Sequence, residues 1–339
     1  MKWKIKKFIT YCLSCIGFID YLRYKNRHKI TVLMLHGVMD VHERSDWSPL
    51  RKQLTPTEFK RVLSILSKKY QFITARQCID MLEEKVPIID NALLITFDDG
   101  YRNTIDYALP ICESFGIKPI MFVATGHIDS GLPFWFDRLD YALQQNIGRE
   151  VSFDYQGIKY EFDTSSRESL IRSYKQFRDK CKNHFNNDID MNKLFDELSD
   201  YLESRAGKAL SDFGNQDDWS AIASWDELRE AVNKDRLNIG SHTIDHWRID
   251  SLSKKDVLFQ LEASKQAIAE KLSTSCDYFC YPNGGYDRCS IELLKKTGYQ
   301  AAFTTDVGLC KYMDDLMMLK RFNFPANKTK SEILYLLNC

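Results

Sequence analysis

The chain has no charge of either sign to spare. Lysines and arginines number 47 and aspartates and glutamates 47 over 339 residues, so no global field argues for a nucleic-acid partner. Its ten cysteines follow no regular spacing, which excludes a disulfide framework in a chain this long. The one Cys-x-x-Cys pair, Cys12 and Cys15, has neither a second pair nor histidines beside it and reads as packing residues. Free thiols favour a reducing cytoplasm. The N-terminal apolar run, Phe8 to Ile19, falls short of the roughly 20 residues that a membrane-spanning helix needs. Asp20, Tyr21, Leu22 and Arg23 after it offer no small-residue cleavage site, which argues against a secretory leader. What remains is ordinary globular composition, 44% hydrophobic and 28% charged. Its length suits one large domain with an insertion, or one and a half domains.

The first 29 residues form a segment of their own. Lys2, Lys4, Lys6 and Lys7 precede the apolar run, and Arg23, Lys25, Arg27 and Lys29 follow it. Phe8, Cys12, Cys15, Ile19 and Leu22 recur at steps of three and four, so one helical face is apolar. Two readings stand side by side: an amphipathic helix on the inner membrane surface, its cationic ends on anionic lipid, or a helix packed on the domain that follows.

From Ile30 onward, strand and helix patterns alternate. Strands are expected at 31–35, 92–97, 118–124, 237–239, 278–281 and 299–304. Helices are expected at 59–69, 103–115, 225–232, 254–272 and 291–297. Repeated units of this kind imply a parallel sheet with helices outside it. Between about 148 and 223 the character changes. Two alternating runs around Gln156 and Gly157 read as a hairpin, followed by helices at about 167–184 and 191–205. We take this as an insertion beside the sheet, a packed elaboration before a lid or substrate wall.

Two short segments carry the chemistry. Thr96-Phe97-Asp98-Asp99-Gly100 sets adjacent carboxylates at the end of an apolar strand. Ser241-His242-Thr243-Ile244-Asp245-His246 sets two imidazoles four residues apart after another. Asp-Asp-Gly alone is usually a turn, and a lone His-x-x-x-His is usually a helix face or loop. Both at strand ends, where α/β sheets bind ligands, point to a divalent metal held by one carboxylate and two histidines. Such a set suits zinc first, then nickel, cobalt or iron. The second carboxylate has the chemistry of a general base. Together these parts describe a metal-dependent hydrolase.

These motifs, with Tyr281-Pro282-Asn283-Gly284 later in the chain, make the sequence resemble the polysaccharide deacetylase family, carbohydrate esterase family four. The similar stretches are 94–104, 134–143, 225–246, 279–287 and 298–305, whereas 152–221 carries no family signal. The resemblance implies a distorted (β/α) barrel, with Asp99, His242 and His246 on the metal and Asp98 as base. Many members take their acid from a late Leu-x-His segment, but no histidine follows His246 here. The branch this chain resembles is circularly permuted, and there the acid sits on the first strand, as His36. The resemblance also implies an acetyl pocket shaped by Tyr281, Pro282 and Asn283, with the Asn283 N–H on the oxyanion. Where many relatives carry an arginine oriented on the base, this chain has Cys280, and Arg321 is the candidate substitute. Phe134, Trp135 and Trp247 are candidates to stack on sugar rings, though buried aromatics are the commoner explanation for any one of them. The expected reaction is removal of an N-acetyl group from an amino sugar of a glycan or lipid-linked glycan precursor. Deformylation and O-acetyl ester hydrolysis on the same scaffold are the nearest alternatives. A non-catalytic glycan-binding module is the alternative of a different class, and Cys280 is the one residue that speaks for it.

Overall fold

In the computed structural model, residues 2–39 and 47–339 are described, with side chains throughout except those of residues 2–4 and 6. Six parallel strands form the body of the sheet: β1 (Thr31–Leu35), β3 (Ala92–Phe97), β4 (Ile120–Val123), β7 (Asn238–Ser241), β8 (Tyr278–Cys280) and β9 (Ala301–Phe303). Two short strands flank them, β2 (Gln71–Phe72) on β3 and β10 (Phe322–Asn323) on β1. The ring closes through the segment entering β10. Leu319 N–H donates to Ala302 and Thr304 N–H donates to Leu319, while Phe324 N–H donates to Met34 on the far side. The structure is therefore the distorted (β/α) barrel that the resemblance implies, with a final stave too short to register as a long strand.

Period-two alternation sorts the strand residues into two cores. Leu33, Leu35, Leu93, Ile95, Phe97, Met121 and Val123 pack outward beneath the helices. Val32, Leu94, Ile120, Phe122, Tyr278, Cys280, Phe303 and Leu319 pack together inside. Continuing the inward series past each strand end gives Met34 and His36 from β1, Thr96 and Asp98 from β3, His242 after β7 and Arg321 before β10. One parity rule thus directs the candidate residues to a single mouth. The inside is tight enough to demand glycine at Gly240, where a Cβ would lie 2.6 Å from the Phe122 ring.

Most helix positions agree with the sequence pattern, helix Lys254–Leu272 to the residue. Thr55 caps helix Pro56–Leu66 by accepting from Glu58 N–H. The expected helix over 103–115 is interrupted: Thr104–Ala108 is a π-turn and Leu109–Ser114 continues as α-helix. Pro110 has no N–H to give to the carbonyl four residues back, so the ladder is re-registered there.

The segment after 148 builds a hairpin, β5 (Val151–Tyr155) and β6 (Ile158–Phe162), turned by Gln156 and Gly157 with φ of 50° and 78°. Helices Arg167–His184 and Asp188–Ala206 follow. Their apolar faces share a separate core with helix Trp135–Gln144, built on Trp135, Leu139, Phe177, Phe195 and Leu198. At the N-terminus the expected single apolar helix is two, Lys2–Cys15 and Phe18–Lys25, broken at Gly17 with φ 74°. The expected face divides with it. Ile19 is buried in the barrel's outer core, whereas Phe8, Cys12 and Cys15 are exposed. Among the described residues, no helix is long and apolar enough to cross a membrane.

Candidate active site

Asp98 follows β3 directly and turns inward. Its N–H continues the ladder by donating to Leu35 at 2.8 Å. Its two carboxylate oxygens receive Arg321 Nη1 and Nη2, both at 2.8 Å. The remaining N–H groups of Arg321 go to Thr304 O (2.8 Å), Thr96 Oγ1 (3.0 Å) and Cys280 Sγ (3.1 Å). All five donors of the guanidinium are thereby used on a residue only 1% exposed. Burial alone would raise the pKa of Asp98, but Arg321 outweighs it and holds the carboxylate below its ordinary value. Arg321 is therefore an interior residue, not part of a surface ion pair. The small Cys280 side chain stands beside it, and its sulfur accepts one of the arginine's protons.

Asp99 is the next residue, with φ 79°, and its side chain meets the histidine loop. His246 Nε2 lies 3.3 Å and His242 Nε2 3.6 Å from Asp99 Oδ1, all nearly inaccessible. That oxygen accepts no hydrogen bond although it is buried. A buried carboxylate oxygen without a donor is costly, and two imidazole nitrogens aimed at it leave room for a shared cation. His242 Nδ1 donates to the Cys280 carbonyl at 2.7 Å. This fixes the tautomer, so that in the neutral ring Nε2 turns its lone pair toward Asp99. The donor set of Asp99, His242 and His246 thus fits a divalent ion. Asp98, His242 and Cys280 also lie close together. Asp98 is already taken by Arg321, so the first set is the one with free lone pairs.

The charges follow from the same contacts. Burial opposes ionisation of Asp99, but His36 and the two histidines beside it hold it well below the usual carboxylate range. Burial would lower His242, yet Cys280, Asp99 and Asp98 raise it well above its ordinary value. Protons and a cation therefore compete for His242, and affinity for a metal should fall as pH falls. The loop is held in an unusual conformation, with φ of 68° at Thr243 and 59° at His246. Phe134 and Phe136 meet the His246 ring in T-shaped contacts, with centroids at 5.4 and 5.6 Å.

A cavity of about 860 Å³ opens above these residues. Its lining includes His36, Asp98, Asp99, His242, His246, Tyr281, Asn283 and Trp135. His36 is exposed to it at the end of β1. Pro282, Phe134 and Trp247 are not in the lining. Pro282 is buried in the turn, and Phe134 is buried against His127, Phe136 and His246. The Tyr281 hydroxyl is spent on Met317 O at 2.9 Å, and its ring is fully buried against Phe279 and Tyr286. The residue therefore supports the turn beside the cavity and offers no free face, contrary to its expected part in the acetyl pocket.

Sequence reasoning named neither residue of the opposite wall. Arg178 and Trp219, from the segment expected as a packed elaboration before a lid or substrate wall, line the cavity, so the segment contributes to a wall as well as packing beside the barrel. Asp188, 1% exposed at the start of helix Asp188–Ala206, takes Arg248 N–H, Nε and Nη2 at 2.7–2.8 Å, two residues beyond His246. Arg51 pairs with Asp137 at 2.8 Å and donates to Tyr101, whose hydroxyl donates to the same carboxylate. The traces of this cluster in the sequence are Tyr101 and Asp137, inside the family-like stretches 94–104 and 134–143.

Comparison with known proteins bears on the family and the fold. The Bacillus subtilis (strain 168) protein YxkH, a polysaccharide deacetylase by name, is 20% identical over 302 residues, covering 89% of this chain and 73% of that one. Among solved structures, the fold is shared with the Streptococcus pyogenes deacetylase PplD in complex with acetate (TM-score 0.59, 15% identity, 91% of this chain and 98% of that one). IcaB from Ammonifex degensii matches similarly (TM-score 0.56, 16% identity, 91% and 97%). The polysaccharide deacetylase family model matches residues 85–302, well over half of the chain, and the chain therefore belongs to the polysaccharide deacetylase family.

Proposed function

We propose that this family member is a divalent-metal-dependent hydrolase that removes N-acetyl groups from amino sugars of a glycan or a lipid-linked saccharide. The observation that carries the reading is the buried, unpartnered Asp99 Oδ1 facing two imidazole nitrogens, beside a carboxylate held ionised by Arg321. Asp99, His242 and His246 would hold the ion, with zinc the best match to one oxygen and two nitrogen donors. When bound, such an ion supplies Lewis acidity, polarising a carbonyl and loosening a proton of water.

The protein's own residues account for the remaining steps. Asp98 accepts a proton from the water that attacks the acetamide carbon, and Arg321 keeps that carboxylate charged and aimed. His36 gives a proton to the sugar nitrogen as the C–N bond breaks, releasing acetate and a free amine. The Asn283 N–H would steady the carbonyl oxygen as it gains charge. Trp135 would flank the sugar, and Tyr281 would support the turn that presents Asn283. The ten free cysteines support a reducing compartment, and with the cationic N-terminal segment they support a site of action at the inner membrane face.

The test is paired. Purified wild type should carry close to one divalent ion by elemental analysis and release acetate from an N-acetylamino-sugar oligomer. His246→Ala should lose both ion and activity. Full metal occupancy in His246→Ala would overturn the ligand set. Release of formate, or activity on O-acetyl esters alone, would overturn the acyl group assigned. His36→Ala should slow the amide far more than an activated ester, whose leaving group needs no proton. Equal losses would remove His36 from the acid role.

A further inference from the structure

The N-terminal helix pair has two faces, and only the smaller one is used by the fold. Thr10, Leu13 and Ile19 turn inward, where Leu13 and Ile19 join the barrel's outer core, close to helix Lys330–Leu336. Asn26 Nδ2 donates to Asn338 O at 2.9 Å and fixes the end of the pair. On the other face Ile5, Phe8, Ile9, Cys12 and Ile16 recur at steps of three and four along helix Lys2–Cys15 and the residue after it, all exposed. Phe18, Tyr21 and Tyr24 extend the exposed set along the second helix. Phe8 is 67% and Ile16 76% exposed. Of the seventeen large apolar side chains exposed on the described surface, eight fall within residues 5–24 and nine are scattered over the rest. Scattered singles are ordinary, whereas a concentration of this kind marks an interaction surface.

Charge identifies the occupant. Residues 1–29 contain eight lysines and arginines and a single acid, Asp20. That acid is bound to Arg23 and Lys69, which keep its pKa below the ordinary value. The remainder of a chain with zero net charge is therefore net acidic, and the positive charge is concentrated in the same 29 residues that carry the apolar face. A segment that combines exposed aromatic and aliphatic side chains with an excess of cations suits the boundary between headgroups and acyl chains of an anionic bilayer. A second copy of this chain would have to bring the same cations together face to face. We propose that the outer face of helices Lys2–Cys15 and Phe18–Lys25 is an interfacial foot that seats the barrel on an anionic lipid surface. Because its inner face is packed on the barrel, the foot sets the enzyme's orientation as well as its location.

The test uses the full chain and co-sedimentation with vesicles of phosphatidylcholine, alone or with about a third phosphatidylglycerol. Binding should appear with the anionic vesicles, be at least ~10-fold weaker with the neutral ones, and fall steeply with added salt. Phe8→Ser with Ile16→Ser should weaken binding by another ~10-fold while leaving circular dichroism and acetate release from a soluble oligomer unchanged, since both side chains are exposed and far in sequence from the site. Absence of binding to anionic vesicles at low salt would overturn the proposal. So would unaltered binding by the double variant, or sedimentation-equilibrium dimerisation that the same variant abolishes without any vesicle binding. Acetate release is measured separately, so failure of the foot leaves the proposed reaction standing, and the reverse.

Discussion

The floor of the cavity and its far wall are built in opposite ways. On the floor, Asp98, Asp99, His242 and Arg321 come from or next to barrel strands, are almost wholly buried, and are held by named partners. On the wall, Lys52, Arg178 and Trp219 come from a loop and from the 148–223 segment. Lys52 is exposed and Arg178 half-buried, with a cation–π contact to Tyr174 as its one partner among the described residues. The floor also tolerates strain, with positive φ at Asp99, Thr243 and His246. Chemistry requires fixed geometry, whereas selection of a substrate requires a surface that can vary without unfolding the barrel. The contrast teaches that floor variants should act on rate, metal or stability, and wall variants on substrate affinity.

The largest effect should come from Asp98→Asn. Turnover should fall by about 10²–10⁴-fold, the typical contribution of one general base, with the metal retained. Acetate release alongside elemental analysis checks this, and an enzyme within a few-fold of wild type would place the base elsewhere.

Arg321→Met tests whether the floor is held by partners. Removing one side of a buried pair should cost about 3–5 kcal/mol in chemical denaturation at neutral pH. The sign with pH follows from the depressed Asp98. Its stabilisation is present above the unfolded value of about 3.9 and is lost as pH falls through the folded value. In the variant, burial acts without the arginine, so the acidic limb of the pH–rate profile should move upward. An unmoved limb would mean that Arg321 holds the strands together and does not tune the base.

Asp188→Asn probes a place where the wall segment touches the histidine loop. Loosening Arg248 should free the strained His246 loop and weaken zinc affinity by about 10-fold, the lower end for partners that orient metal ligands. Competition with a chromogenic chelator reads the affinity directly, and Asp188→Glu should recover part of it. Unchanged affinity in Asp188→Asn would confine the pair to packing. The smallest effect is expected at Arg178→Ala, a rise of a few-fold in KM on an oligosaccharide with kcat unchanged. A fall in kcat alone would break the division between wall and floor.

Much of the floor was legible before any coordinates, because strand parity and adjacent motifs are local. Asp98 and Asp99 follow β3 in one pentapeptide, and His242 and His246 share one turn of chain after β7. His36 and Arg321 lie outside residues 85–302, where the family model matches, and both were named through the resemblance, His36 with its strand-end position beside it. The wall was illegible for a physical reason. Arg178 reaches the cavity on a helix packed in a separate hydrophobic core, and Trp219 through a smaller cluster with Met39, Trp47, Tyr141 and Leu210. No periodicity in their own segments encodes which neighbours those clusters will meet.

By itself, then, the sequence determined the elements, their inward and outward faces, and the chemical types gathered at strand ends. Those depend on backbone periods of 2 and 3.6 residues and on capping groups within a few positions. Tertiary structure alone decided that the barrel closes through Leu319–Asn323. That closure carries Arg321 across 223 residues of chain to Asp98, and Cys280 leaves it the space to arrive. It also decided that the N-terminal helices turn their larger apolar face outward. Neither outcome is local: each depends on which surfaces remain after the rest of the chain has packed.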